Sequence, residues 1–411
     1  MTIRILSPYF PFPPDEGNFL TVFDQICTLA ERNTVEVISW LNTQPEIEER
    51  QQRTSMIRFP STVRVRHLAT ATAARLPPGI RESKRLVMGL LQRMPSAETL
   101  YYPTWIQPQL QALPASELEI YHHTVAHPIL RHPARAGTRR ICMVHDLNSA
   151  LYEQRATAAR GGRRWFFNYN ARILRRHEAE LRRLVNELWF VTPVELNHFR
   201  GLPGSAPLRL TSPTFNLKLS LQRRSEFDLK QLSEAPPVFG LIGDLRHVPN
   251  LRSLEFLLKD VCPLLLQSGF GGIIRVVGKG CPSGIITQAR KFPFLQFEGF
   301  VPDLSEFYRS LSFMLVPHVS GTGVRMKLLE SLACGVPVLA HPEAVERIHP
   351  ELQTSPLLIT ENSAEAWAAI MMTERPGRRR GQSIGSPIPA AIDGRQIYAF
   401  VQDYQAGEIP R

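Results

Sequence analysis

A chain of 411 residues is long enough for two ordinary domains, each with its own core. An apolar share of 43% with 21% charged residues excludes the disordered and collagen-like classes. The net charge of +11 attracts nucleic acid, an anionic membrane surface or a phosphorylated substrate alike, so its meaning depends on where it sits.

Cys27, Cys142, Cys262, Cys281 and Cys334 are odd in number and never closely spaced, which excludes cysteine zinc sites and thioredoxin-like motifs and fits a reducing compartment. The chain opens with no charged region leading into a long apolar stretch, and no uninterrupted apolar run is long enough to span a bilayer. A cytoplasmic protein is expected.

In chain order, "TIRIL" reads as a short strand, "FLTVFDQICTLAER" as an amphipathic helix and "TVEVISW" as the next strand. Strand, glycine-containing turn, helix and strand form a βαβ unit and predict a parallel sheet. "LEIYHH", "RRICMVHDL" and "ELWFVT" continue that sheet, with a basic helix near 171–184 before the last of them. The polar stretch "NLKLSLQRRSEFDLKQLSEAPP" has the composition of a linker. A second series then begins with "VFGLIGDL", a helix from about Asn250, and "GIIRVVGKG", "LQFEGFV", "SFMLVPH" and "GVPVLAH" alternating with helical segments. The pattern predicts two doubly wound α/β domains in tandem, 1–212 and 237–385, joined by a linker at 213–236. A helix within 386–411 is expected to pack back across them.

Within 321–339, "GTGVRMKLLESLACGVPVL", two glycines and two cations precede an apolar-faced helix carrying Leu328, Leu332 and Ala333, and Gly335 and Pro337 end it. A glycine turn entering a helix exposes backbone N–H groups that favour an anion. One reading sets phosphate oxygens against the N–H groups of Thr322, Gly323 and Val324, with Arg325 or Lys327 as counter-charge and Glu330 bonded to paired hydroxyls. The competing reading is a capped surface helix with a weak Lys327 to Glu330 pair.

"VPHVSGTGVRMKLLESLACGVPVLA" resembles the donor-nucleotide segment of GT-B glycosyltransferases, in particular the retaining family 4 group. "GLIGDLRHVPNLRSLEFL", "IRVVGKG", "FEGFVPDLSEFY" and, upstream, "VHD" fall in the family's order. The resemblance implies a GT-B fold, two Rossmann-like doubly wound domains facing a cleft. It also implies transfer of a sugar from a nucleotide-sugar donor with retention of configuration, to a polysaccharide or glycolipid precursor as acceptor. On that resemblance Glu330 is the second glutamate of an E-x7-E motif and holds the ribose, while the first glutamate is replaced by Thr322, a departure shared by relatives with GTG-x-R-x-K. Arg325 and Lys327 match the cationic pair for the donor diphosphate. Arg246, beside Gly243 and Asp244 after the first strand of the second domain, is a second candidate. Gly278 and Gly280 match a strand end where a base or ribose approaches the backbone, or else a plain turn. Gly17 stands at the family's first glycine loop, and His145, next to Asp146, matches a histidine that contacts the donor sugar.

His122, His123 and His127 lack a carboxylate or cysteine partner at ligand spacing, so neither a metal nor another cofactor is expected. The arginines between Arg155 and Arg183, interleaved with Trp165, Phe166, Phe167 and Tyr169, form a candidate contact for anionic lipid at the inner face of the membrane or for a lipid-linked acceptor; a solvated helix is the alternative. Without zinc-finger, helix-turn-helix or RNA-recognition signatures, nucleic acid is disfavoured. Two other functions compete with transfer: a non-catalytic nucleotide-binding or scaffold protein that lost the first glutamate, and a nucleotide-sugar epimerase on the same fold.

Overall fold

A computed structural model describes residues 1–11, 17–41, 59–68, 95, 98, 102, 105–211, 235–301, 304–317, 322–355 and 358–373. The chain divides into two compact units, one within Met1–Thr214 and one within Phe215–Asp393. The expected linker at 213–236, except its last two residues, and the expected helix within 386–411 lie outside the described residues.

The first unit carries a seven-stranded parallel sheet in the order β3-β2-β1-β4-β5-β6-β7. Its strands are β1 (Thr2–Leu6), β2 (Thr34–Ser39), β3 (Val63–His67), β4 (Leu118–His122), β5 (Arg139–Val144), β6 (Glu187–Phe190) and β7 (Leu208–Leu210). The runs "TIRIL", "TVEVISW", "LEIYHH", "RRICMVHDL" and "ELWFVT" each hold one of these strands. Both β3, "VRVRH", and β7, "LRL", escape the sequence reading, because an edge strand has a neighbour on one side only and needs little apolar content. Arg4 sits on the central strand yet is only 2% exposed. The strand register explains this: Glu36 of β2 and Glu119 of β4 lie directly across from it, and Arg140 of β5 lies across from Glu119. Arg4 Nε donates to Glu36 Oε2 at 2.9 Å and Nη1 to Glu119 Oε1 at 3.2 Å, so alternating charges run through the sheet interior fully paired.

The second unit carries a six-stranded parallel sheet in the order β10-β9-β8-β11-β12-β13. Here the strands are β8 (Val238–Ile242), β9 (Ile273–Val277), β10 (Leu295–Gly299), β11 (Phe313–Val316), β12 (Val338–Ala340) and β13 (Leu358–Thr360). Alternate residues of β11 feed opposite cores: Phe313 and Leu315 join Trp367 and Met371, whereas Met314 and Val316 join Leu328 and Leu329. Burial on both faces is what makes such strands continuous apolar runs. The edge strand β13 was not predicted from the sequence.

In both units chain order reverses beside the first strand, between β1 and β4 and between β8 and β11. Ligands of open α/β sheets bind outside the carboxyl ends of the strands at such a switch point.

Candidate functional site

At the switch point of the second unit, three glycines let two loops meet. Gly243 and Gly278 follow β8 and β9, and their backbones are so close that a Cβ on Gly278 would lie 1.8 Å from the Gly243 carbonyl oxygen. Gly243 N–H donates to Val277 O at 3.0 Å, and Leu245 N–H to Lys279 O at 2.9 Å. A Cβ on Gly280 would meet the Arg246 side chain at 2.3 Å. On the side where a Cβ would project, what approaches Gly278 and Gly280 is the neighbouring loop of the same unit.

That packing presents Asp244, Arg246 and Asn250. Arg246 is claimed by its neighbour, since its guanidinium reaches both oxygens of Asp244, with Nε to Oδ1 at 2.9 Å. The Arg246 hydrogen bond holds the Asp244 carboxyl low, to about 2, against the opposing effect of burial. The side chain of Arg246 is 62% exposed. Asn250, at the start of the helix Val248–Phe256, donates from Nδ2 to the Asp244 carbonyl at 3.0 Å and accepts the Lys327 ammonium at Oδ1, 2.9 Å away. This one amide ties the loop after β8 to the helix after β11 across the switch point. Sequence reasoning missed Asn250, although its place in "DLRHVPN", just inside a helix after a glycine turn, is a readable signal.

The helix that follows β11 spans Met326–Ala333. Thr322, Gly323 and Val324 lie in the turn before it, and Gly323 takes a positive φ of 75° there; Lys327, read as preceding the helix, falls inside its first turn. Arg325 is the N-cap residue, and its Nη1 donates to the Thr322 carbonyl at 3.1 Å, folding the cation back over the turn. The helix ends as expected at Gly335, whose φ is 72°, with Val336 N–H closing on Ser331 O at 2.8 Å.

Lys327 and Glu330 point to separate partners and do not pair in the direct way their spacing predicts. Burial, reinforced by the Arg325 charge, pulls the Lys327 ammonium down to about 8, with Glu330 opposing the shift. Glu330 accepts from the hydroxyl of Tyr308, at 2.5 Å on Oε2. Burial pushes its carboxyl upward, while Tyr308 and Lys327 act against that rise. Tyr308 is a second residue the sequence reading missed. It lies on the helix Leu304–Ser310, in "DLSEFY", where nothing in the spacing links it to Glu330. Together Lys327, Arg325 and Glu330 offer two cations for an anion and a carboxylate for hydroxyl groups within one turn of helix.

In the first unit, Gly17 opens the helix Gly17–Ala30 after β1. His145 follows β5 but is only 2% exposed: its Nε2 lies 2.8 Å from His122 Nδ1, and its ring packs 4.6 Å from that of His123. Burial drives all three imidazoles below their usual range, His122 to about 3. They are therefore neutral at physiological pH, and His145 is held inside the unit by its fellow histidines. His123 is the one non-glycine residue with positive φ among those described, at 75°.

The arginine-rich region forms two helices, Asn148–Ala158 and Gly161–Leu184. Its aromatic residues divide: Phe166 and Phe167 pack against the core, while Trp165 is 58% exposed and stacks on Tyr169. Arg182 turns to the carbonyls of Phe199 and Leu202. The expected contact patch is thereby reduced to Trp165, Tyr169 and the outward arginines such as Arg163, Arg164 and Arg172. Among the described residues no helix is long and apolar enough to cross a membrane.

Comparison with known proteins bears on the second unit most directly. Residues 236–373 match the family model "Glycosyl transferases group 1". The matched segment lies within the unit that holds Lys327 and Glu330. Over 99% of both chains, the protein is similar to Anabaena Alr3699/HepE, solved in complex with UDP, at 13% identity and a TM-score of 0.61. It is also similar to WaaG, a glycosyltransferase involved in lipopolysaccharide biosynthesis, over 91% of each chain at 16% identity and a TM-score of 0.57. An E. coli structure described as trehalose-6-phosphate bound with UDP-2-fluoro glucose matches over 98% of each chain at 12% identity and a TM-score of 0.63. No curated protein matches by sequence. At these identities the likeness carries the fold, two parallel-sheet Rossmann-like domains of the GT-B type.

Proposed function

We propose that the protein is a glycosyltransferase that takes a sugar from a nucleotide-sugar donor, transfers it with retention of configuration, and needs no metal at the donor diphosphate. The observation that carries this reading is the Lys327 to Asn250 hydrogen bond across the switch point, inside the segment that matches the group 1 model. It holds an ammonium ready where the diphosphate of a donor would lie, beside Arg325. Supporting it, Anabaena Alr3699/HepE was solved with UDP and with UDP-glucose.

In the proposed mechanism, the turn Thr322 to Val324 receives diphosphate oxygens and Lys327 and Arg325 neutralise the charge that grows on the leaving group. Catalysis then rests on electrostatic stabilisation and positioning. Glu330, oriented by Tyr308 through one oxygen, accepts from the ribose hydroxyls. With threonine at 322, no carboxylate from that position reaches the donor sugar. Gly243 serves by holding the loop that carries Asn250. Gly17 is the candidate from the first unit for a donor contact, whereas His145, offered by the resemblance for the sugar, is buried and joins the ends of β4 and β5 through His122. The acceptor is a polysaccharide or lipid-linked precursor, brought by the surface of Trp165 and the outward arginines to an anionic membrane.

The test is to incubate the protein with a panel of nucleotide sugars and follow thermal protection and release of the nucleoside diphosphate. One donor is expected to protect and turn over, and Lys327→Met to weaken its binding by about two orders of magnitude, the worth of a charge-assisted contact to phosphate. If no donor protects, or if Lys327→Met binds like wild type, the reading fails. Protection without turnover in the presence of acceptors would favour a binding protein, and an isomerised donor would favour an epimerase.

A further inference from the structure

The first unit holds a cluster that the proposed sugar transfer leaves unused. Glu98, His127 and His177 come from three separate parts of the chain, and each offers a ligand atom within 4.8 Å of the other two. His177 Nδ1 lies 2.7 Å from Glu98 Oε1, and His127 Nδ1 lies 3.9 Å from the same oxygen. The side chains are nearly out of solvent, at 0% exposure for Glu98, 1% for His127 and 16% for His177. Scanning histidines by spacing along the chain could not find this group, because its carboxylate precedes His127 by 29 positions and its second imidazole follows by 50.

The protonation pattern asks for a cation. His127 Nε2 is 2.9 Å from Glu180 Oε2, and a carboxylate only accepts, so the ring proton of His127 sits on Nε2. Its Nδ1 then presents a bare lone pair, and this buried atom has no hydrogen-bond partner; nor does Glu98 Oε2. Two buried acceptors in one cluster with no donor between them are costly. A divalent ion satisfies His127 Nδ1 directly and Glu98 when the carboxylate binds through both oxygens; the proton that His177 Nδ1 donates to Glu98 Oε1 is released to solvent as that nitrogen becomes a ligand. Two imidazoles and a carboxylate suit zinc or a similar first-row ion, and Glu180 behind His127 is the outer carboxylate that such ligands use. The 2.7 and 3.9 Å separations bracket the edge of about 3.3 Å expected for tetrahedral ligands about 2.0 Å from a metal. The two rings are stacked, with centroids 3.8 Å apart, so they would fan open at their Nδ1 edges on binding.

We propose that Glu98, His127 and His177 bind one divalent transition-metal ion of the zinc class. The ion clamps the segment at Glu98 to the helix His127–Leu130 and to the helix Gly161–Leu184. It is a structural site within the first unit, independent of the donor-binding reading.

Full-length protein stripped with chelator and titrated with Co²⁺ tests the site by visible absorption, which needs no enzymatic activity. The expected result is one Co²⁺ per chain with the intense d–d bands of a low-coordinate N/O site, displaced by Zn²⁺, and a higher melting temperature with Zn²⁺ than in chelator. Glu98→Gln and His177→Ala should each abolish the bands and the melting shift while keeping the circular dichroism of the wild type. Absence of the bands in the wild type, or equal binding by both variants, would overturn the proposal. Should a variant fail to fold, the wild-type stoichiometry and Zn²⁺ displacement decide it alone.

Discussion

The two units share the strand order 3-2-1-4-5-6, the first adding one further strand, yet they place their charges differently. In the first unit ionised side chains run through the sheet itself, as the row Glu36, Arg4, Glu119 and Arg140 on four adjacent strands. At the ends of β4 and β5 lie the neutral imidazoles of His122, the last residue of β4, and of His123 and His145 just beyond. The strands "VFGLI", "FMLV" and "VLA" of the second unit carry no charge; apart from the Arg275–Glu298 pair near the sheet edge on β9 and β10, the ionic groups of the candidate site lie past the carboxyl ends as Asp244, Arg246, Arg325, Lys327 and Glu330. One topology therefore serves two electrostatic designs. Paired charges inside a sheet fix register, whereas charges beyond the strand ends, held by glycine turns, stay available to a ligand.

The sharpest way to break this contrast is to unpair the buried row. Glu119→Ala should cost the first unit about 2–4 kcal/mol, because it leaves Arg140 without its carboxylate and Arg4 with Glu36 alone; denaturant unfolding would show it, and a loss under about 1 kcal/mol would mean the row is not structural. In the second unit the corresponding weak point is backbone, not charge. Gly278→Ala should destabilise that unit by at least ~3 kcal/mol, since its φ of 145° and the 1.8 Å approach to Gly243 O both forbid a Cβ. A melting temperature unchanged from wild type would contradict the close loop packing.

Lys327 gives a subtler probe. Its folded value of about 8 lies below that of a free lysine, so the charge proposed to meet a diphosphate is present below that pH and lost above it. Donor affinity should fall by about tenfold from pH 7 to pH 9 as the ammonium deprotonates. Lys327→Arg should flatten that profile, because a guanidinium stays charged throughout. A wild-type profile flat over this range would detach Lys327 from the donor. The smallest effect is expected at Arg246→Ala: an exposed arginine paired with a carboxylate two residues away should change stability by no more than about 0.5 kcal/mol and donor affinity by at most a few-fold. A large loss of donor affinity would restore Arg246 as a diphosphate ligand.

Much of the fold was legible in the chain. The runs around β1, β2, β4, β5 and β6, and those around β8 to β12, are apolar segments separated by helical patterns, and they mark the strands where they occur. The edge strands β3, β7 and β13 were not, because pairing on one side leaves little compositional trace; the edge strand β10 was legible because Leu295 and Phe297 alternate and pack against the core. Arg325, Lys327 and Glu330 were singled out because a glycine turn, two cations and a carboxylate on one helix form a local pattern. Asn250 and Tyr308 were invisible as their partners, since Asn250 lies 77 residues from Lys327 and Tyr308 lies 22 from Glu330.

By itself the sequence determined two parallel-sheet α/β domains and a glycine turn that sets Arg325 and Lys327 at the entry of a helix, because periodicity and turn chemistry act over a few neighbouring residues. Only the tertiary structure decided which groups meet. It turned Arg246 onto Asp244 and gave Lys327 its amide. It enclosed His145 among histidines, and it gathered Glu98, His127 and His177 from segments far apart in the chain. Hydrogen bonding and desolvation depend on distance in space, and in a doubly wound fold the residues closest in space at the strand ends come from segments separated by whole βα units.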